Sequence, residues 1–417
     1  MTRFASASPA TRGALIATAG LAAAAVLGVL TVTIALIGLG RFSGDIDPTR
    51  VPGWLWYYRH DPELRRWLAV GLSCAGLVGG ILIVAVLLRQ RRPLHGAARW
   101  ASAAEQRHAG LRSRRGVVLG RADGAFLIAD GPEHVMLYAP TRTGKGVGVV
   151  IPNLLAWPDS VVVLDIKREN YVATAGYRAE AGQTVHLFDP LASDGRTARF
   201  NPLAHIDRAD PIQVLDELQR MAAMLFPVHD RADPFWAEAS RTGFIGVGGY
   251  VAATPDRPFT LGEIFRQLTA GNARARLPRI VAARAREGRP LPGPVVAALT
   301  DFTSSSENTF ASVRQSITTR MGLWLNPRID AATSVSDFDL RDLRRGDLSL
   351  YLGATPDNML RIQPLYALLF QQLVDLNSRS LPAPADRPTL VLLDEFARLG
   401  PAPVLAHAFA WVAGYGL

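Results

Sequence analysis

Two stretches without a charged side chain constrain this chain most: 14–40, ALIATAGLAAAAVLGVLTVTIALIGLG, and 67–88, WLAVGLSCAGLVGGILIVAVLL, of 27 and 22 residues. Hydrocarbon offers no partner to a bare peptide group, and a helix of about 20 apolar residues spans it with every backbone bond made internally. Both stretches are long enough. A cleaved signal peptide carries an apolar run of only about 7–15 residues, shorter than the first stretch. A buried soluble helix is the rival reading of the second. Finding two such runs together argues instead for a helical hairpin in a membrane.

The flanks set an expected orientation. Arg3 and Arg12 precede the first span, and Arg89 to Arg121 holds nine arginines against one acid, Glu105. The connecting loop, 41–66, mixes acids with bases and carries Trp54, Trp56, Tyr57 and Tyr58, which suit a membrane–water interface. Positive flanks stay on the cytoplasmic side, so both ends are expected there. These flanks use much of the net charge of +9, so the basic balance alone does not indicate nucleic acid. The single cysteine, Cys74, excludes an intrachain disulfide framework and suits a reducing compartment.

From about 117 the pattern changes to short apolar runs alternating with helical ones. HVMLYA (134–139), SVVVLD (160–165), TVHLFD (184–189), DLSLYL (347–352) and TLVLLD (389–394) are expected strands. Such Val- and Leu-rich runs fit a parallel sheet buried on both faces, with helices such as 145–156 and 168–181 between them. The fold class is α/β, doubly wound. Between about 205 and 335 the strand signal fades, and PIQVLDELQRMAAMLF, FWAEASRTGFIGVGGYVAA and NTFASVRQSITTRMGLWL read as helices. Thr260 with Glu263 and Ser304 with Glu307 have capping-box spacing. ARARLPRIVAARAREGR (273–289) carries six arginines and one acid. Two readings stand: a solvated helix face, or a DNA-phosphate patch using Arg274, Arg276, Arg284 and Arg286.

APTRTGKGVGVV, 139–150, lies between an expected strand and an expected helix, the context of a phosphate loop. The usual pattern is G-x-x-x-x-G-K-[ST]; here Ala139 replaces the first glycine and Gly146 the final hydroxyl residue. The expected nucleotide-binding residues are Pro140, Thr141, Arg142, Thr143, Gly144, Lys145, Gly146 and Val147. Backbone N–H groups from about 142 to 147 converge on an anion, and Lys145 reaches the β- and γ-phosphates of ATP. The hydroxyl that usually meets Mg²⁺ is missing, and Thr143, Thr141 or a water stands in for it. Downstream, TLVLLDEFARLG (389–400) runs four apolar residues into Asp394 and Glu395. Asp394 is the expected Mg²⁺ ligand. Glu395 and Lys145 are the expected catalytic residues, with Glu395 polarising the attacking water. An isolated Asp-Glu would read as a helix start; paired with the loop, it reads as an ATPase site.

The chain resembles the TraG/VirD-type coupling proteins, the ATPases of conjugation and type IV secretion. APTRTGKGVGVVIPNLL, VVVLDIKRENYVATAGYRAEAGQTVHLFDP, RFNPL, SVSDFDLRDLRRGDLSLYLGATPDN and LLDEFARLG carry the resemblance, together with the two-span start. It implies an inner-membrane, multi-pass ATPase with a RecA-like P-loop NTPase sheet, an inserted all-α domain and a two-helix anchor. It also implies a homo-hexamer that recruits a single-stranded DNA–relaxase complex or protein effectors to the inner-membrane components of a secretion channel. Lys145, Asp394 and Glu395 match the family's nucleotide-site positions. Asp165 and Lys167 match a family signature near the site or the subunit interface, although a strand-end aspartate capping the next helix is the plainer reading of Asp165.

The expected organisation is an anchor over 1–95, the first part of the nucleotide-binding domain over 96–204, the all-α insertion over 205–335 and the second part over 336–417. The family continues past the position of Leu417, where the next strand would supply a γ-phosphate sensor. On this reading the chain is a C-terminally truncated coupling protein that binds ATP weakly. The alternative function is a non-hydrolysing docking subunit that binds nucleotide and partners.

Overall fold

The computed structural model describes residues 9–44, 46–88, 99–140, 142–228, 233–400 and 403–417. The chain divides after Trp100 into two compact units, each with its own packing.

In the first unit the uncharged stretches form helices α1 (Pro9–Gly38) and most of α2 (Pro62–Leu88). They meet on a seam of small residues. Ala35 and Ala75 are buried, and a Cβ added at Gly71 would stand 2.4 Å from the Thr31 carbonyl oxygen. Small seam residues allow close backbone approach where lipid gives no hydrophobic drive between helices. The windows Gly20–Gly38 and Pro62–Ala85 are long and apolar enough to cross a membrane, and only 6% and 11% of them is buried. That exposure is unlike the core helix of a soluble body. The connecting loop holds one short helix, Val51–Tyr57, with Trp54, Trp56, Tyr57 and Tyr58 exposed. Arg3 and the 89–98 part of the basic flank lie outside the described residues.

In the second unit, four of the expected strands form: β3 (Val161–Ile166), β4 (Thr184–Phe188), β5 (Leu348–Ala354) and β6 (Leu390–Leu393). They pair in parallel in the order β4–β5–β3–β6. Every residue of β3 and β5 is buried, since alternate side chains meet apolar layers on opposite faces. Val161, Val163 and Tyr351 pack with Val150 and Leu154 beside helix α3 (Ile151–Ala156). Val162, Leu164, Leu350 and Leu352 join the larger core with Leu365 and Leu369 of a helix spanning Met359–Asn377.

Two expectations are corrected. HVMLYA (134–139) is not a strand: it has no regular structure and is exposed throughout. Apolar, β-prone residues become a strand only beside a free edge that accepts their ladder, and this segment pairs with none of the described strands. A hairpin that the apolar pattern did not suggest lies just upstream, β1 (Val117–Ala122) and β2 (Ala125–Ala129), turning at Asp123–Gly124. Both turn residues have positive φ, as a two-residue hairpin turn requires.

The 205–335 stretch is helical, as its pattern indicates. Following α4 (Glu169–Glu180), its main helices are α5 (Pro211–Leu225), α6 (Pro234–Ala252), α7 (Leu261–Thr269), α8 (Ala273–Arg286), α9 (Gly293–Ser304) and α10 (Glu307–Arg320). The central α6 admits its neighbours through glycine: a Cβ at Gly249 would sit 2.5 Å from Val295. Its buried residues are continuous with those on one face of the sheet. Thr260 caps α7 by accepting from the Glu263 N–H. The Ser304–Glu307 pairing is the second correction. Ser304 closes α9, and Ser306 caps α10 by accepting from the Thr309 N–H.

Candidate functional site

Parallel register brings two acids level. Leu164 of β3 pairs with Leu393 of β6, and the next residues are Asp165 and Asp394. The carboxyl ends of strands in an open α/β sheet form the crevice where ligands bind.

Asp165 is wholly buried. Its Oδ2 accepts from the Tyr171 N–H at 2.7 Å, and its Oδ1 from the Asn170 N–H at 3.2 Å. The plain reading of this aspartate therefore holds: it caps the first turn of α4. Burial pushes its carboxyl above the ordinary range, the Tyr171 and Asn170 donors pull it back, and nearby Asp394 raises it again. Asn170 does more than receive this cap. Its side-chain Nδ2 donates to Asp165 Oδ1 at 3.2 Å and to Asp394 Oδ2 at 3.3 Å. Sequence reasoning missed Asn170, although it stands five residues after a strand-end aspartate in the quoted LDIKREN run.

The glycine loop supplies the cation. The Gly148 N–H donates to the Gly144 carbonyl at 2.7 Å, opening a π-helical turn, Gly146–Val150, that runs into α3. Gly144 takes φ +88°, the left-handed backbone that glycine adopts without steric cost. Lys145 stands at the head of the turn. Its Nζ donates to the Asp394 carbonyl oxygen at 2.9 Å and lies 2.8 Å from Asp394 Oδ1. Residues 249 positions apart thus meet, and the pair keeps some solvent contact, at 27% and 20% side-chain exposure.

Pro140, Arg142, Thr143, Gly144 and Val147 are exposed, and Lys145 and Gly146 are half-buried. Thr141 lies outside the described residues. A Cβ at Gly146 or Gly148 would meet nothing within 4 Å, so open space lies over the loop. Thr143 Oγ1 donates to the Pro140 carbonyl at 2.7 Å, which leaves its oxygen lone pairs for another partner. Glu395 is exposed beside Asp394. This donor set fits a magnesium nucleotide: an ammonium, uncovered backbone amides, a hydroxyl oxygen and a carboxylate.

Backbone strain gathers at the same place. Among the described residues, four non-glycines have positive φ, and three of them, Arg142, Lys167 and Arg168, lie in the two loops at this edge. Each costs on the order of 1–3 kcal/mol and persists only where surroundings enforce it. The Lys167 N–H donates to the Ala354 carbonyl at 3.0 Å, and Arg168 pairs with buried Asp189 at 2.7 Å. The Lys167 side chain is exposed.

The basic helix α8 is used differently. Arg274 donates to the Ser305 carbonyl, Arg276 to the side chain and carbonyl of Gln267, and Arg284 to the Ala253 carbonyl. These three arginines are half-buried and hold α8 to its neighbours, while Arg279, Arg286 and Arg289 are exposed.

Residues 99–417 match the family described as type IV secretory system conjugative DNA transfer. VirD4 of Rhizobium rhizogenes is 34% identical over 353 residues, covering 80% of this chain and 51% of VirD4. The conjugal transfer protein TraG of Escherichia coli is 30% identical over 417 residues, covering 87% of this chain and 63% of TraG. The chain thus spans about half the length of VirD4. Among solved structures, the plasmid coupling protein TrwB with the ATP analogue ADPNP has a TM-score of 0.54 at 17% identity, covering 76% of this chain and 70% of that one. TrwB with ADP and Mg²⁺ gives 0.54 at 18%, with coverages of 76% and 70%. The likeness shows a RecA-like P-loop NTPase fold. With three quarters of its length matched to the family and relatives above 30% identity, this chain belongs to the type IV secretory system conjugative DNA transfer family.

Proposed function

We propose that this chain is a membrane-anchored coupling ATPase serving conjugative or type IV secretory transfer. One observation carries the reading: Lys145 of the glycine loop and Asp394 at the end of β6 meet within 2.8 Å at the carboxyl edge of the sheet. Bound there, Mg-ATP supplies a phosphoanhydride bond whose cleavage releases the energy for transfer. Lys145 and the amides of 142–147 hold the phosphates. Asp394 would hold Mg²⁺, and Thr143, Thr141 or a water would supply the oxygen that the usual loop hydroxyl gives. Glu395 orients the attacking water and takes its proton.

The rest of the reading rests on family membership. The substrates are single-stranded DNA with its relaxase or protein effectors, the partners are inner-membrane channel components, and the working assembly is a homo-hexamer. Two apolar helices support an inner-membrane anchor with both ends cytoplasmic. The proposed boundaries remain 1–95, 96–204, 205–335 and 336–417, the last segment being the second part of the nucleotide-binding domain. Of the four arginines expected to meet DNA phosphates, Arg286, exposed on α8, is the one best placed to do so. Arg274, Arg276 and Arg284 contribute less, being occupied with carbonyl oxygens.

The test is Lys145→Ala in the full chain, solubilised in detergent. Binding of a fluorescent ATP analogue is expected to disappear, while membrane insertion, read by resistance to alkaline extraction, stays intact. Undiminished analogue affinity would refute the site.

A further inference from the structure

Two carboxylates, Asp165 and Asp394, share one neutral bridge at the carboxyl edge of the sheet. Asn170 is 3% exposed, and its Nδ2 spends both hydrogens, one on Asp165 Oδ1 at 3.2 Å and one on Asp394 Oδ2 at 3.3 Å. The opposite amide orientation would set the Asn170 oxygen against two carboxylate oxygens, so chemistry fixes which end faces them. The Asp165 end of the bridge is anchored. That carboxylate also receives the N–H groups of Asn170 and Tyr171, which tie it to the first turn of α4.

Among the described residues, the Asp394 end has two side-chain partners, Asn170 on Oδ2 and Lys145 on Oδ1. On the nucleotide reading, to which this inference is tied, Lys145 turns to phosphate and leaves Asp394. Asn170 is then the side chain that still fixes the carboxylate. It does so without adding charge, so Oδ1 is freed with its full negative character. An aspartate in place of Asn170 would put a third carboxylate into the cluster, and an alanine would leave Asp394 free to rotate.

We propose that Asn170 is a positioning residue for the metal ligand: anchored through Asp165 to α4, it orients the Asp394 carboxylate for Mg²⁺. Outer partners of this kind contribute about 10–100-fold to metal affinity. Asn170 acts through Asp394 and touches neither phosphate nor water in this role.

The experiment titrates Mg²⁺ against a fluorescent ATP analogue bound to the full chain in detergent, and also measures analogue affinity in excess chelator. Asn170→Ala and Asn170→Ser, the second too short to span both carboxylates, are expected to raise the half-saturating Mg²⁺ about tenfold or more. Chelator-state affinity should remain within about twofold, which also reports that the loop is folded. An unchanged Mg²⁺ requirement in both variants overturns the proposal. So does equal loss of analogue binding with and without the metal, since Asn170 would then hold the loop and not the ligand. Asp394→Asn separates the two levels: if it leaves the Mg²⁺ requirement unmoved, the reading of Asp394 itself fails; if it shifts that requirement while the Asn170 variants do not, only this inference fails.

Discussion

The arginines of α8 show how a residue type can mislead when its surroundings are unknown. ARARLPRIVAARAREGR reads as a run of positive charge, yet the guanidinium of Arg276 is occupied by Gln267, at 2.7 Å to Oε1 and 2.5 Å to the carbonyl. Hydrogen bonds from a charged donor contribute about 1.5–3 kcal/mol each. Arg276→Glu removes both bonds and sets an anion against a carbonyl oxygen, so it is expected to cost about 2–4 kcal/mol. Arg286 is exposed and, among the described residues, bonds within its own helix, to the Ala282 carbonyl. Arg286→Glu is expected to cost less than about 1 kcal/mol, mostly from an acid near a helix C-terminus. Denaturant midpoints of the two variants in one detergent check the difference. A spacing rule cannot separate these arginines, because the decision lies with residues on other helices.

At the scale of elements, legibility followed how much of each element's stability is local. The two long apolar helices are readable because length and the absence of charge are properties of the segment itself. Two strands, β3 and β5, were readable because both faces are covered; β4 and β6, at the two ends of the sheet, are mostly half-buried and were readable from short apolar runs bounded by turn residues. HVMLYA carries the same run and remains irregular, because strand formation is decided by an edge elsewhere in the chain. The glycine loop and the acid at the end of β6 were likewise visible as segments. Their pairing in one site was expected from the two segments together, and the Lys145–Asp394 contact agrees with it; Asn170 was not visible, because its significance appears only when β3 and β6 lie side by side. The seam of α1 and α2 gives a test on this scale. Gly71→Val drives carbon into the Thr31 carbonyl, whereas nothing lies within 4 Å of a Cβ at Gly76. Overpacking of this kind costs about 1–3 kcal/mol. The thermal aggregation midpoint in detergent should fall for Gly71→Val and stay in place for Gly76→Val.

Across the whole molecule, the helical stretch and the sheet are joined by charge as well as by apolar packing. Glu217 of α5, almost wholly buried, meets His205 at 3.2 Å and Arg220 at 2.5 Å, and also pairs with Arg379, just beyond the Met359–Asn377 helix. Burial works to raise the Glu217 carboxyl, but His205, Arg379 and Arg220 outweigh it and hold it below the ordinary 4.5. Its folded value lies below its unfolded one. The stabilisation is therefore complete above about pH 4.5 and is lost as pH falls through the folded value. Melting temperature measured against pH should fall less steeply over that acid range in Glu217→Gln than in the parent chain, because the variant has no such contribution to lose.

The 249 positions between Lys145 and Asp394 also set a timetable. A ribosome adding about 5–20 residues per second needs roughly 12–50 s to travel from one to the other. Through that interval the lysine loop has left the exit tunnel without its acid, while the apolar hairpin, made first, has already had time, on the proposed membrane reading, to enter the bilayer. On the proposed reading, the protein is thus committed to its membrane before it owns a place for nucleotide, and ATP has no hold on where the newborn chain is inserted.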